Sequence, residues 1–449
     1  AELPKADSRA LRQELFGREH VLATASTGER KRGDEGAHTL RGLLTLRPDR
    51  REVILTKLWA LLQKMVDKQL CQFVYVQELL CEYLECAGPA QVAKAAPALA
   101  EHAIMLLTSR EGARAAALVA AYGGARERKR MTKALKGHVK ATLHHRDAYI
   151  ALLKLVDVTD DTVSTKKNIL PEIFEVAEQQ YTATGEENAA EFTTEALATS
   201  APTAQFFLWL LAPDNKRYFH EMDMKALMAP SQLPPPGAEE IPLSVDPDSV
   251  DTSAWVSTSK KEPEQRRREL LSYLRQPLID LCAEHAAVML RRPYGSKLLF
   301  EVARRWRPAA VHARIVEELT KEPEGAAEED EGEEEAKPTL PLWEDPKGHL
   351  TVKWLFISEA KDDEDGEGEE GSSLAADFTA DLNDELLLKY MGCNRGCFVI
   401  EALVKVPAVR AGVIKRVKRV LKATPQLKAR MKTSKGLQAI NAEANRAEA

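Results

Sequence analysis

The stretch TSREGARAAALVAAYGGARERKRMTKALKGHVKATLHHRDAYIALLKLV, Thr108–Val156, decides the fold. A polar break at Ser109 and Arg110 is followed by an apolar helix from Gly112 to Ala121. A second helix runs from Glu127 to Leu143, His144–Asp147 form a turn, and Ala148–Val156 form a short apolar helix. Gly112 and Ala148 hold equivalent places 36 residues apart, a period typical of stacked helical repeats. Upstream, apolar residues recur at helical spacing through Val53, Ile54, Leu58, Leu61, Leu62 and Met65. They do so again through Phe73, Val76, Leu79, Leu80 and Tyr83, and Val92–Thr108 reads as a further helix. Downstream, a polar residue or turn, a small residue and an apolar helix return at Gly295, Gly348, Gly396 and Gly436. Glycine costs a helix about 1 kcal/mol, and close approach of neighbouring helix backbones is a physical reason to keep it.

The composition agrees. Of 449 residues, 44% are hydrophobic, 29% charged and only 6% aromatic, with few β-branched alternating runs. Such an array lengthens without enlarging a central core. No stretch approaches the roughly 18 apolar residues a membrane span needs, and the first residues carry no secretory pattern. Six cysteines without paired CxxC spacing read as buried small hydrophobes in a reducing compartment. Motifs of phosphate-loop, dinucleotide, zinc-protease and serine-hydrolase chemistry are missing, so no catalysis and no cofactor is expected. His144 and His145 are expected in structural or surface roles, and Cys393 and Cys397 share a helix face without a zinc partner set. Asp160 and Asp161 read as a helix N-cap region. Trp59, Trp209, Trp306 and Trp354 fall at apolar helix spacing and are expected in the core.

Three interruptions set the domain plan: 1–50, a partial repeat and loop; 51–229, helical repeats; 230–259, a Pro-rich linker; 260–449, further repeats with acidic insertions at 322–337 and 359–373. Glu322–Glu335 and Glu359–Glu370 hold seventeen carboxylates; with these and Lys337 and Lys361 set aside, the net charge of −6 becomes +9. The body is basic.

On Thr108–Val139, DTVSTKKNILPEI (Asp161–Ile173), FFLWLLAPDNKRYF (Phe206–Phe219), KKEPEQRRRELL (Lys260–Leu271) and HLTVKWL (His349–Leu355), the chain resembles the pumilio-repeat proteins of the Puf-A and Penguin branch. The resemblance implies a right-handed α-α superhelical solenoid of pumilio-like, armadillo-like repeats, stacked in an L. It further implies RNA or DNA binding with little sequence preference and a role in the nucleolus, in pre-rRNA processing for the large (60S) ribosomal subunit. Partners would be ribosomal RNA of the pre-60S particle, other assembly factors and ribosomal proteins, with no membrane and no small-molecule substrate. The first repeats of that branch have no counterpart here, so the chain is expected to correspond to about the C-terminal two thirds of a longer protein.

Sequence-reading pumilio repeats address a base with two or three side chains. Here these would be the first, second and fifth residues after each small residue. Ala113, Arg114 and Ala117; Tyr149, Ile150 and Leu153; His349, Leu350 and Lys353; and Leu437, Gln438 and Asn441 are poor readers. Cys397, Phe398 and Glu401 come nearest, and Ser296, Lys297 and Phe300 are a partial set. Phosphate contact needs only cations. Those expected to supply it are Arg128, Lys129, Arg130, Lys133 and Lys136 on one helix, Arg266, Arg267 and Arg268 opening another, and Lys297, Arg304 and Arg305 on a third. Arg114, Lys353 and Arg395 beside the small residues, and Lys405, Lys415, Arg416, Lys418, Arg419 and Lys422 in the C-terminal segment, complete the set. Two other readings stay open: an mRNA-binding translational regulator, and a HEAT- or armadillo-like protein scaffold.

Overall fold

The computed structural model describes residues 11, 14–16, 39–174, 193–238, 241, 243, 251–322, 340–365 and 371–446. The chain divides into two compact units: unit 1 comprises Ala1–Glu175 with Asp214–Ser272, and unit 2 comprises Val176–Pro213 with Tyr273–Ala449. The units therefore do not part at the Pro-rich segment, and the 51–229 block is shared between them. Of the partial repeat and loop read at 1–50, the helix Leu40–Leu46 is described, while most of residues 1–38 lies outside the described residues.

In unit 1, α1 (Val74–Cys86) packs on α2 (Arg110–Tyr122), and α3 (Ala125–Leu135) follows. Helix α4 (Tyr149–Val158) packs on α2 and on the short helix Glu221–Leu227. Helix α2 starts where the sequence places it: the Ser109 hydroxyl accepts from Gly112 N at 3.0 Å, an N-cap bond. A Cβ on Gly112 would lie 2.0 Å from Leu106 O, so only glycine fits the turn as it passes under the helix.

In unit 2, a row of neighbours runs α5 (Ala201–Leu211), α6 (Pro293–Trp306), α7 (Gly348–Asp365), α8 (Asn394–Lys405) and α10 (Lys435–Arg446), with α9 (Arg410–Ala423) between the last two in sequence. The start signal repeats. Asp345 Oδ1 accepts from Gly348 N at 2.6 Å, and Cys393 Sγ accepts from Gly396 N at 3.1 Å. A cap three residues before a buried glycine is thus the recurrent motif. It gives Cys393 a structural task, while Cys397 is buried with its Sγ 3.5 Å from Met391 O. The six cysteines are free thiols, and burial pushes Cys397 up to about 12. No helix among the described residues is long and apolar enough to cross a membrane.

Two interruptions differ from their reading. The described parts of the 230–259 segment belong to unit 1: β1 (Gln232–Leu233) and β2 (Val256–Ser257) pair antiparallel, and Leu243 N donates to Ala87 O at 3.1 Å. Its two-residue strands are too short for any alternation to reveal them. The second acidic insertion is shorter than expected. Helix α7 continues to Asp365, and the buried Glu359 carboxylate accepts from the Ser373 hydroxyl and from Ala375 N at 3.2 Å. The chain is back in place by Ser372, whose N donates to Arg307 O at 3.1 Å. Residues 323–339 and 366–370, with most of the acidic residues, lie outside the described residues.

The returning Ser372 Oγ also lies 2.7 Å from Nδ1 of the buried His312, whose imidazole burial lowers to about 4. An unfolded histidine titrates near 6.5, so between about pH 4 and 6.5 the unfolded chain binds the extra proton. Stability is therefore lost as pH falls through that window, by about 3 kcal/mol at its acid end. In urea titrations at pH 7 and pH 4.5, His312→Gln should show a smaller acid-induced drop than the parent protein.

Candidate nucleic-acid interface

The clearest gathering of cations is on α9. Its buried stripe, Val413, Ile414, Val417 and Val420, turns the intervening positions outward. Lys415, Lys418, Arg419 and Lys422, with Pro407, Arg410 and Ala411, line a shallow groove of about 970 Å³ whose lining includes no carboxylate. Arg419 pairs with Asp384 at 2.5 Å and remains largely exposed. Arg416 is turned away, donating to Thr379 O at 3.0 Å and to Leu382 O, so it holds α9 in place. Lys428, Lys432 and Lys435, all exposed, continue the basic segment.

In unit 1, α3 carries a second stripe. Lys129, Lys133 and Lys136 are exposed, and Arg130 is half-buried between Glu101 (3.4 Å) and Pro97 O. Arg128 does not belong to it. Only 1% of its surface is exposed. It donates to Ala120 O (2.9 Å), Ala121 O (3.1 Å), Thr258 O (3.2 Å), Thr258 Oγ1 (2.6 Å) and Ser259 Oγ (2.9 Å). Burial lowers its guanidinium to about 10, against the opposing pull of Asp160.

Arg266 is likewise buried, donating to Asp157 O at 2.8 Å and to Lys261 O, and lying 3.6 Å from Asp160. Asp160 also accepts from Lys260 N and Lys261 N at 2.7 and 3.1 Å, while its neighbour Asp161 is the N-cap, accepting from Ser164 N at 2.9 Å. Arg114 is committed to Glu85, and Arg267 to Glu264 at 2.6 Å. Arg268 is exposed. Arg128 and Arg266 are thus struts, because backbone carbonyls at buried helix ends need donors that water cannot supply. His144 is half-buried, and burial lowers it to about 4.

On the α6–α8 row, Lys297 Nζ sits 4.8 Å over the Tyr294 ring and Lys353 Nζ 4.9 Å over Phe398. Arg304 is 3.3 Å from Glu301, Arg305 reaches Leu211 O at 3.5 Å, Arg395 donates to Glu344 O at 2.7 Å, and Lys405 pairs with Glu401. The reader positions are occupied. Cys397 and Ser296 are buried, Phe398 is under Lys353, Glu401 is paired, and His349 Nδ1 is 2.6 Å from Asp345 O. Trp209 and Trp306 are in the core and Trp59 stacks on Tyr83 at 5.4 Å, but Trp354 is not: it is 54% exposed. Sequence reading missed it because α7 is apolar on more than one side.

Superposition identifies the architecture. The crystal structure of human Puf-A matches with a TM-score of 0.71 over 98% of this chain and 74% of that one, at 20% identity. This is a pumilio-type α-solenoid. A second structure, human Puf-A in complex with DNA, matches with a TM-score of 0.70 at 20% identity, over 98% of this chain and 73% of that one. Residues 249–367 match the CPL (NUC119) domain family. The chain is similar to Pumilio homolog 3 of Rattus norvegicus, 26% identical over 90% of this chain and 55% of that protein. It is also similar to Pumilio homolog 3 of Homo sapiens, 23% identical over 90% and 54%. Protein penguin of Drosophila melanogaster is 24% identical over 58% of this chain and 30% of that protein. The chain thus resembles the Puf-A and Penguin branch and spans about half the length, or less, of these curated relatives.

Proposed function

We propose that this chain is a non-catalytic RNA-binding factor of the nucleolus that grips structured RNA through its phosphates, with low sequence preference, in large-subunit ribosome assembly and pre-rRNA processing. The observation that carries the binding mode is the α9 groove, where Lys415, Lys418, Arg419 and Lys422 face one concavity, beside an Arg410 that donates to Val404 O, and the lining has no carboxylate. Phosphates suit such a surface because each one neutralised releases condensed counterions. Base reading is disfavoured, since at the nearest reader sets Cys397 and Ser296 are buried, Phe398 lies under Lys353 and Glu401 is paired, while the exposed Leu350 has no group to hydrogen-bond a base edge. The ribosomal context rests on the resemblance to the Puf-A and Penguin branch.

Two measurements test this. Four groove contacts to a single strand predict a log–log slope of affinity against salt of about −3 or steeper, nearly equal for unrelated sequences. Cross-linking of bound RNA in cells should recover large-subunit precursor RNA. Reads concentrated on mRNA tails would replace this reading with translational regulation. Absence of RNA binding at low salt, with a protein partner retained at high salt, would replace it with a protein scaffold.

A further inference from the structure

Trp354 is the sixth residue after Gly348 on α7, outside the reader positions, and it is 54% exposed. Leu350, one turn earlier on the same side, is 42% exposed. A large indole left in water on a helix packed between two neighbours points to a ligand that covers it. The surrounding charge identifies that ligand. Lys353 is the adjacent residue, and Lys297 on α6 holds the place, second after the glycine, that Leu350 holds on α7 and Phe398 on α8. Burial lowers the Lys297 ammonium, and the charge of Lys347 acts in the same direction. Of the carboxylates on the same three helices, Glu301 lies 3.3 Å from Arg304, Glu401 pairs with Lys405, and Glu359 accepts from Ser373 and Ala375, while the acidic positions 362–365 come at least two turns beyond Trp354 along α7. Phe398 has Lys353 over its ring, whereas the indole of Trp354 is open.

We propose that Trp354 is a stacking platform for an unpaired nucleobase, so that unit 2 takes a single-stranded RNA segment with a base on the indole and flanking phosphates near Lys353 and Lys297. A positively charged face with aromatic platforms is the general solution for holding single strands without reading them, because every base has a π-face. The inference rests on the RNA-binding reading and adds the form of RNA this face accepts.

The experiment compares the full chain with Trp354→Ala and Trp354→Phe on a single-stranded oligouridylate and on an RNA duplex of equal length. Trp354→Ala should weaken single-strand binding by about tenfold, leave duplex binding unchanged, and leave the salt slope unchanged because no phosphate contact is lost. Trp354→Phe should fall between, and both variants should lose part of the tryptophan fluorescence quenching that the single strand causes. If the unsubstituted chain binds neither RNA, the RNA-binding reading and this one fall together. If it binds RNA and Trp354→Ala holds the single strand as tightly as the parent, the platform alone is overturned and the exposed indole belongs to a protein contact.

Discussion

Replacing Arg128 with methionine is expected to destabilise unit 1 by about 3–5 kcal/mol, the range for breaking a buried charged network by removing one member. Ala120 O and Ala121 O belong to the last turn of α2, where carbonyls have no partner within the helix. Arg128, reaching back from α3, supplies both donors, and its positive charge suits the negative end of the helix dipole. The same guanidinium holds Thr258 and Ser259, and the Ser259 hydroxyl passes the connection on to Val158 O at the end of α4, at 2.7 Å. Methionine keeps the aliphatic volume and removes every guanidinium donor, leaving Ala120 O without its Arg128 bond and Ala121 O with the Thr258 hydroxyl alone, at 2.9 Å. Urea unfolding followed by circular dichroism measures the loss, and hydrogen exchange should show earlier opening at residues 251–259. Lys129→Met, one residue along and exposed, should stay within about 0.5 kcal/mol. A loss below about 1 kcal/mol for Arg128→Met would mean that the strut carries little of the unit.

The helices and their stacking were legible because the period of apolar residues and the recurring buried glycine are both local signals. Ser109 with Gly112 and Cys393 with Gly396 mark helix starts that the sequence already displays. The roles of individual cations were harder to read, since charge alone does not say which way a side chain faces. A cue existed: Arg128, Met131 and Leu135 share one stripe of α3, as Arg266 and Leu270 do further on, and all five are buried. An arginine in register with the apolar residues is placed inward, whatever the charge of its neighbours. Trp354 shows the converse. The run His349–Phe356 has apolar residues on more than one side, so helical period could not say that Leu350 and Trp354 would remain outside while Val352, Leu355 and Phe356 went in. The division into units was not readable either, because the pairing of 176–213 with the C-terminal half is a long-range contact.

The triple substitution Lys415→Gln, Lys418→Gln and Lys422→Gln should have the largest effect on binding of any change on the α9 face. The three positions follow i, i+3 and i+7 along α9, so they present one edge to the groove while Val413, Val417 and Val420 hold the opposite side in the core. Glutamine keeps length and helix propensity and removes only charge, so the fold should be retained. Each single-strand phosphate contact contributes about 0.7 to the salt slope, so losing three should flatten it by about 2. At 0.1 M salt that corresponds to an affinity loss of about 100-fold, converging with the parent protein near 1 M where counterion release no longer drives binding. Arg416→Gln separates charge from site: this neighbour on the same helix is turned into the Thr379 and Leu382 carbonyls, so its loss should lower stability and leave the slope unchanged. If the triple variant kept the parent slope and Arg416→Gln flattened it, the RNA would lie elsewhere, and the groove on α9 would be a solvated helix face.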